Sequence, residues 1–479
     1  MTDHNEALET ARRALRDAVG LAPAQKAQVV KFVGGVRSKL RGFNRRELDQ
    51  AILVSLGITR EQMRVYELLP DTELLRRLGG GPVKPAFSEA PEGWIRDYLT
   101  YTQNQESPTE FHFWVAVSVI GACLGRRVTF DKGYYRVVPN HYVLLVSPPG
   151  RCRRSVATRI GIDLLRSAQT TTRIIGEKVT PEGLLVTLQA AAEISTNGTA
   201  ISRGSSTAIV HAPELSVFLG RQQYNEGMIA LLTTLYDSPD DPFEYITRTK
   251  ESLTIPPCAL SMLGASAPDW LAESLPQVAF GGGFLSRIII VHRENTDRVV
   301  AIPKPPPGGW KEKLVAGLRT ISSLTGFATM DEEATGWYED WYEDTKDSIP
   351  DDMRLSGYYE RKQDHLIRLA IVLSAAGGGG LVLTRPILER SLAYLEGVEP
   401  ELPRAFRQIG ATPIGRHHDR ILAQIERAGG VMPATKWLQM NSNYMDRKQF
   451  REMLATLLQE GYITGPEEGN LYRLVKRHG

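Results

Sequence analysis

Between Val128 and Arg293 four short apolar runs, HYVLLV, TAIVHA, CALSMLGA and RIIIVHR, are separated by segments of helical period. A short run that is apolar throughout buries both of its faces. A chain that alternates such runs with helices has few folds open to it, and the simplest is a largely parallel sheet with helices on both sides. The expected class is therefore α/β, with a three-layer core over 94–300. FHFWVAVSVIGACLGRRV supplies a lead-in helix before the first strand.

The flanks read differently. Residues 1–80 carry helical spacing and form a helical N-terminal domain, joined to the core through LGGGPVKPAFSEAPEG, Leu78 to Gly93. AIPKPPPGGW closes the core, and 311–405 returns to helix. In the tail, 414–479, a helix, a short helix, a longer helix and two strand-like runs around GPEEG follow the winged-helix order. A length of 479 residues agrees with two to four domains.

Some classes drop out on composition. No apolar run approaches the roughly 20 residues that cross a bilayer, and the N-terminus lacks a signal-peptide core, so a cytoplasmic protein without a membrane partner is expected. Cys123, Cys152 and Cys258 stand apart, and the histidines show no paired spacing, so neither a disulfide framework nor a zinc site is read. YEDWYEDTKD, Tyr338 to Asp347, clusters carboxylates that an amphipathic helix turns to solvent. The net charge of +2 does not announce nucleic acid, but ten Lys/Arg stand between Arg12 and Arg46 against Asp17 alone. Such a block can meet phosphates or be a solvated helical face.

The chemistry concentrates after the first strand, in SPPGRCRRSVATRI. A strand that ends in a turn and enters a helix collects backbone N–H groups and a helix dipole where an anion can sit. Pro149, Gly150, Arg151 and Arg153 make the turn. Aligned to G-x-x-x-x-G-K-[ST], Arg154 takes the lysine position and Ser155 the hydroxyl that holds Mg²⁺. Pro148 and Arg153 replace the two glycines, so only Ser155 keeps its preferred identity. Further along, AIVHAPEL ends in Glu214, a carboxylate placed to polarise water or simply a helix-entry charge. GASAPDWL brings Ser266 to the end of the next run, where a γ-phosphate would be sensed. GGGFLSRIIIVH presents Arg287, either a finger toward a neighbour's nucleotide or an ordinary strand-flanking charge.

These pieces and ERKQDHLIRLA follow one another over about 220 residues, and in that order the chain resembles phage and mobile-element replication ATPases, more distantly minichromosome maintenance helicases. The resemblance covers roughly Glu110 to Gly397. It implies an AAA+ P-loop core, a helical lid over 311–405 and a winged helix. It also implies ATP and Mg²⁺ as cofactors and a homo-oligomeric ring on single-stranded or duplex DNA, with other replication proteins as partners. Arg154 and Ser155 fall at the P-loop Lys-Ser, Glu214 at the acidic strand end, Ser266 at the first sensor and Arg287 at the finger. Arg361 or Arg368 falls at the lid arginine. Arg248 and Lys250 occupy the interval that carries pore hairpins in ring helicases, or an ordinary charged turn. Arg447, Lys448 and Arg451 line one side of the last long helix, where they can touch DNA or a protein. The departures at Pro148, Arg153, Arg154 and Pro213 bear on hydrolysis. A protein that keeps the fold as a DNA-binding or assembly scaffold is the other reading.

Overall fold

The structure is a computed structural model. It describes residues 92–176, 178–196, 204–220, 222–246, 252–268, 270–271, 283–346, 353–378, 380–406, 421–422, 424–426, 428–442, 445–467 and 470–475, together with 30, 52, 53, 56, 275 and 279. The basic block of 12–46, the linker as far as Pro91, and Arg248 and Lys250 lie outside the described residues.

In chain order the elements are α1 (Trp94–Tyr101), α2 (Thr109–Leu124), β1 (Val128–Asp131), β2 (Arg136–Val137), β3 (Tyr142–Val146), α3 (Arg154–Ala168), β4 (Arg173–Ile175) and α4 (Pro181–Thr196). There follow β5 (Ser206–Ala212), α5 (Leu215–Leu219), α6 (Gln222–Tyr236), β6 (Phe243–Ile246), β7 (Ser252–Ile255), β8 (Cys258–Ser266) and β9 (Ile288–His292). Then come α7 (Trp310–Ser322), β10 (Gly326–Met330), α8 (Glu332–Lys346), α9 (Met353–Ala376), β11 (Val382–Leu383), α10 (Arg385–Val398) and α11 (Leu402–Phe406). The last are β12 (Val431–Pro433), α12 (Ala434–Asn441), α13 (Arg447–Gln459), β13 (Ile463–Glu467) and β14 (Leu471–Leu474).

The four apolar runs become β3, β5, β8 and β9, which join β4 in a five-stranded sheet of order β4-β5-β8-β3-β9, parallel throughout. Both faces are covered. Val143 and Leu145 of β3 enter one core with α1, α2, α3 and α7, and Tyr142, Leu144 and Val146 enter a second core with α4, α5, α6 and α11. This is why the strands read as continuous apolar runs rather than alternating ones. In α2 every residue from Glu110 to Leu124 is buried, the condition of a helix enclosed on all sides. Its neighbour α3 comes close because Gly161 faces Val115: a Cβ at Gly161 would stand 2.3 Å from Val115 Cγ1.

The connections set the location of the site. From β3 the chain crosses one face through α3 to β4, at the far edge. It then returns strand by strand across the other face, through α4, α5 and α6, and passes beneath β3 to reach β9. The neighbours β3 and β8 therefore send their chains away in opposite directions. The crevice beyond their carboxyl ends is a topological switch point, the usual place for a ligand in an open α/β sheet.

Residues 311–405 do not form a separate lid. β10 pairs in parallel with β1 inside a second sheet of order β11-β10-β1-β2, and Leu314, Leu318, Ile367 and Leu388 join the same core as α2 and α3. Apolar residues on α7, α9 and α10 are what fasten the region to the body. On α8, Glu339, Asp340, Glu343 and Asp344 are exposed as expected.

The tail has its own core, with Trp437, Phe450, Leu454, Leu457 and Ile463, and a three-stranded sheet of order β12-β14-β13. Asp446 accepts from the Gln449 N–H while the Gln449 side chain accepts from the Asp446 N–H, which fixes the start of α13. Among the described residues no helix is long and apolar enough to cross a membrane.

Candidate functional site

Tyr142–Val146 delivers the chain into the crevice as residues 147–153. The Ser147 N–H donates to the Ser266 carbonyl (3.4 Å), and the Arg293 N–H donates to the Val146 carbonyl (2.9 Å), so the loop begins stapled to both neighbouring strands. The Arg151 N–H closes a turn onto the Pro148 carbonyl at 3.2 Å. Gly150 then takes φ 73°, and Cys152 and Arg153 follow at 57° and 44°. Two non-glycine residues in the left-handed region, at the entry to a helix, are an outlier costing roughly 1–3 kcal/mol each. Burial of Cys152 beneath the loop, with its Sγ toward the Arg293 carbonyl at 3.8 Å, holds the strained form in place. Among the described residues nothing accepts from the N–H groups of Cys152, Arg153, Arg154 or Ser155. A strained turn that presents free N–H groups at a helix start is a receptor for an anion.

The side chains depart from the sequence reading in instructive ways. Arg151 is exposed and donates to Asn295 Oδ1 (2.9 Å), and Arg153 pairs with Glu106 at 2.7 Å. Arg154 folds inward and donates through Nη1 to the Ser147 carbonyl (2.5 Å) and to the Ser266 carbonyl. It bridges the carboxyl ends of β3 and β8 at the switch point rather than reaching outward as a lysine would. Burial lowers its pKa from the guanidinium range, while the carboxylate of Glu214 draws it back. Ser155 is exposed on the first turn of α3.

Register brings Glu214 to the same place. Ala212 at the end of β5 pairs with Gly264 of β8, whose Ser266 pairs with Val146, and Glu214 follows two residues beyond Ala212, close enough for its charge to act on Arg154. Burial raises the Glu214 pKa above the usual carboxylate value, opposed first by Arg154 and then by a 3.4 Å hydrogen bond donated by Ser216. Ser266 contributes its carbonyl to the loop, and its hydroxyl donates to the Ala267 carbonyl (3.1 Å) instead of facing the crevice.

Mg²⁺ is usually held through one or two protein groups and the phosphates of a substrate, and Ser155 presents an exposed hydroxyl on the first turn of α3. Among the described residues no group of three or more His, Cys, Asp or Glu could hold a metal ion. Beside the first turn of α3 lies a cavity of about 380 Å³, lined by Tyr101, Gln105, Arg153, Val156, Ile160 and Val300 among others. Neither the cavity nor its lining from the end of α1 and the post-β9 connector was read from sequence. Residues that far apart carry no shared motif.

Three expected site residues stand elsewhere. Arg287 precedes β9, whose first residue pairs with the first residue of β3, so it lies at the amino end of the sheet. It is buried and ion-paired with Asp237 at 2.5 Å. Arg361 meets the other oxygen of Asp237 at 3.0 Å, and Arg368 is buried against Val138 and Asn140. Neither candidate for the lid arginine is near the loop of its own chain, because α9 crosses the end of the sheet where the strands begin. In the tail, Arg447, Lys448 and Arg451 are exposed on α13.

Behind the loop, Glu110 is 7% exposed and meets Arg293 at 3.2 Å. Burial pushes its pKa from 4.5 up to about 7, with Arg293 opposing. The folded chain then holds this proton more tightly than the unfolded chain does. Its contribution to stability is present at low pH and is lost as pH rises from 4.5 to about 7. Urea unfolding at pH 5 and pH 8 should show the decline, and Glu110→Gln should flatten it. An equally steep decline in the variant would assign the effect to another group.

The chain matches no family model and no curated protein.

Proposed function

We propose that the chain is a nucleotide-binding ATPase of the AAA+ P-loop type, acting on DNA in the manner of the replication ATPases it resembles. One observation carries this reading: a strained loop with free N–H groups stands at the switch point of a parallel sheet, with the Glu214 carboxylate acting on Arg154 at its end. Backbone N–H groups of Cys152 to Ser155 would receive phosphates, and the cavity between α1, α3 and the post-β9 connector would take the base. Mg²⁺, when bound, would neutralise phosphate charge, and Ser155 would offer it a hydroxyl. Glu214 would orient and deprotonate the attacking water. The small domain with α12, α13 and its β-wing is the DNA-binding candidate, through Arg447, Lys448 and Arg451. A ring would need Arg287 to leave Asp237 before serving a neighbour.

A specific observation favours the scaffold reading as well. Arg154, the substitute for the lysine, is engaged by two backbone carbonyls and must let go of them to reach a phosphate. Nucleotide binding and turnover, with and without single-stranded DNA, decide between the readings. If Arg154 turns to the phosphates, Arg154→Ala weakens ATP binding by about 2 kcal/mol, the value of a charge-assisted contact, and Arg154→Lys retains it. If Arg154 is a strut, the alanine variant keeps its affinity and loses thermal stability. Absence of ATP binding by the wild type removes the proposal altogether.

A further inference from the structure

The cavity of about 380 Å³ beside the loop has the size of a small-molecule pocket, roughly 300–1,000 Å³. Arg153 lines it and, among the described residues, has no acceptor for its N–H, so the cavity borders the anion receptor. Val156 and Ile160, one turn apart on α3, form one wall, and Val300 of the connector after β9 belongs to another. Val156 is 41% exposed and leaves apolar surface open to whatever enters.

The polar groups of the walls are already spent. The Thr102 hydroxyl donates to the Tyr98 carbonyl (2.9 Å). Gln105 accepts the Ser107 N–H (2.9 Å) and donates to His112. Glu106 accepts from Arg153 with one oxygen (2.7 Å) and from the Val300 N–H with the other (3.4 Å), which also ties the walls together. Among the described residues no buried polar side chain of this lining lacks a partner. Asn104 and Lys304 line the cavity from exposed positions, where water competes for them. The Tyr101 hydroxyl can donate or accept, and so meets an amino group or a carbonyl equally.

Adenine and guanine differ in just such groups: an amino group against a carbonyl at C6, and a second amino group on guanine at C2. A pocket built to hydrogen-bond one pattern rejects the other by roughly 10⁴-fold or more, because its buried polar groups go unpaired. An apolar slot holds either ring through the area it covers. We propose, on the reading that the loop takes phosphates, that this cavity recognises purines by shape, and that the site binds ATP and GTP alike. A pyrimidine covers less of the Val156 and Ile160 surface and is held less well.

Calorimetric titration of the full chain with ATP, GTP, CTP and inorganic tripolyphosphate tests it. ATP and GTP should agree within about tenfold, CTP should bind less tightly than both, and tripolyphosphate, which has no base, should fall at least about tenfold below either purine. Val156→Trp fills the slot from an exposed position and should bring both purine nucleotides down to the level of tripolyphosphate without altering that level. A preference beyond about tenfold for one purine, or CTP as tight as ATP, would overturn the proposal. So would nucleotide binding that Val156→Trp leaves unchanged. If thermal unfolding shows that variant to be damaged, the wild-type series decides alone. Binding of neither ATP nor tripolyphosphate marks failure of the loop, and the proposal falls with it. Tripolyphosphate bound as tightly as ATP marks failure of the cavity alone, with the loop reading intact.

Discussion

Replacing Arg368 with alanine should lower the unfolding free energy by about 3–5 kcal/mol, among the larger losses a single substitution can produce. The side chain is 3% exposed and sits where several elements meet. It donates to the carbonyls of Val138 (2.6 Å) and Asn140 (3.1 Å) and to the Asn140 side chain. Asn140 in turn donates to the Tyr236 and Leu260 carbonyls, each at 2.9 Å, tying α6 and β8 to the start of β3. The ring of Tyr236 stacks beneath the guanidinium, and its hydroxyl donates to His365 Nδ1 while His365 Nε2–H donates to the Ser286 carbonyl. Burial holds His365 at a pKa of about 4, so it is neutral and can fill both roles at once. Alanine would leave three acceptors unsatisfied and open a void beneath Tyr236. Lysine would keep a charge but could not fork, and should lose less. Chemical denaturation of the three proteins gives the order directly. A loss under 1 kcal/mol for alanine would mean that water replaces the guanidinium.

That packing role was not legible in the sequence. Linear order places Arg361 and Arg368 after Arg287, but it does not say which end of the sheet α9 crosses. Asp237 was missed for a similar reason: its partners stand 50 and 124 residues away, and nothing local marks it. The central strands were legible because Tyr142–Val146, Ser206–Ala212, Cys258–Ser266 and Ile288–His292 are apolar on both faces, the signature of a covered parallel sheet. Arg173–Ile175, only three residues long at the sheet edge, and Gly326–Met330, between two helices, offer too short a pattern to separate strand from helix. The loop was legible in position and not in geometry. Its arginines suggested charge directed outward, whereas the neighbouring carbonyls captured Arg154.

Glu214→Gln should reduce ATP turnover by roughly 10²–10⁴-fold, the usual contribution of a positioned general base, while nucleotide binding persists. The swap preserves size and leaves an oxygen to accept from Ser216, so the loop and α5 keep their geometry. What disappears is the carboxylate that can take a proton from water. Affinity should hold or rise, because one negative charge is removed beside incoming phosphates. The wild-type rate should also carry the imprint of burial. The Glu214 pKa lies above the ordinary carboxylate value, so the ionised, active form gathers at higher pH and turnover should climb as pH rises through that raised pKa. In Glu214→Gln the climb should vanish together with the rate. Turnover that survives the substitution with its pH dependence intact would make Glu214 the entry residue of α5 and nothing more. A wild type that binds ATP without turning it over would leave the scaffold reading standing, with Arg154 as the strut that holds the loop closed.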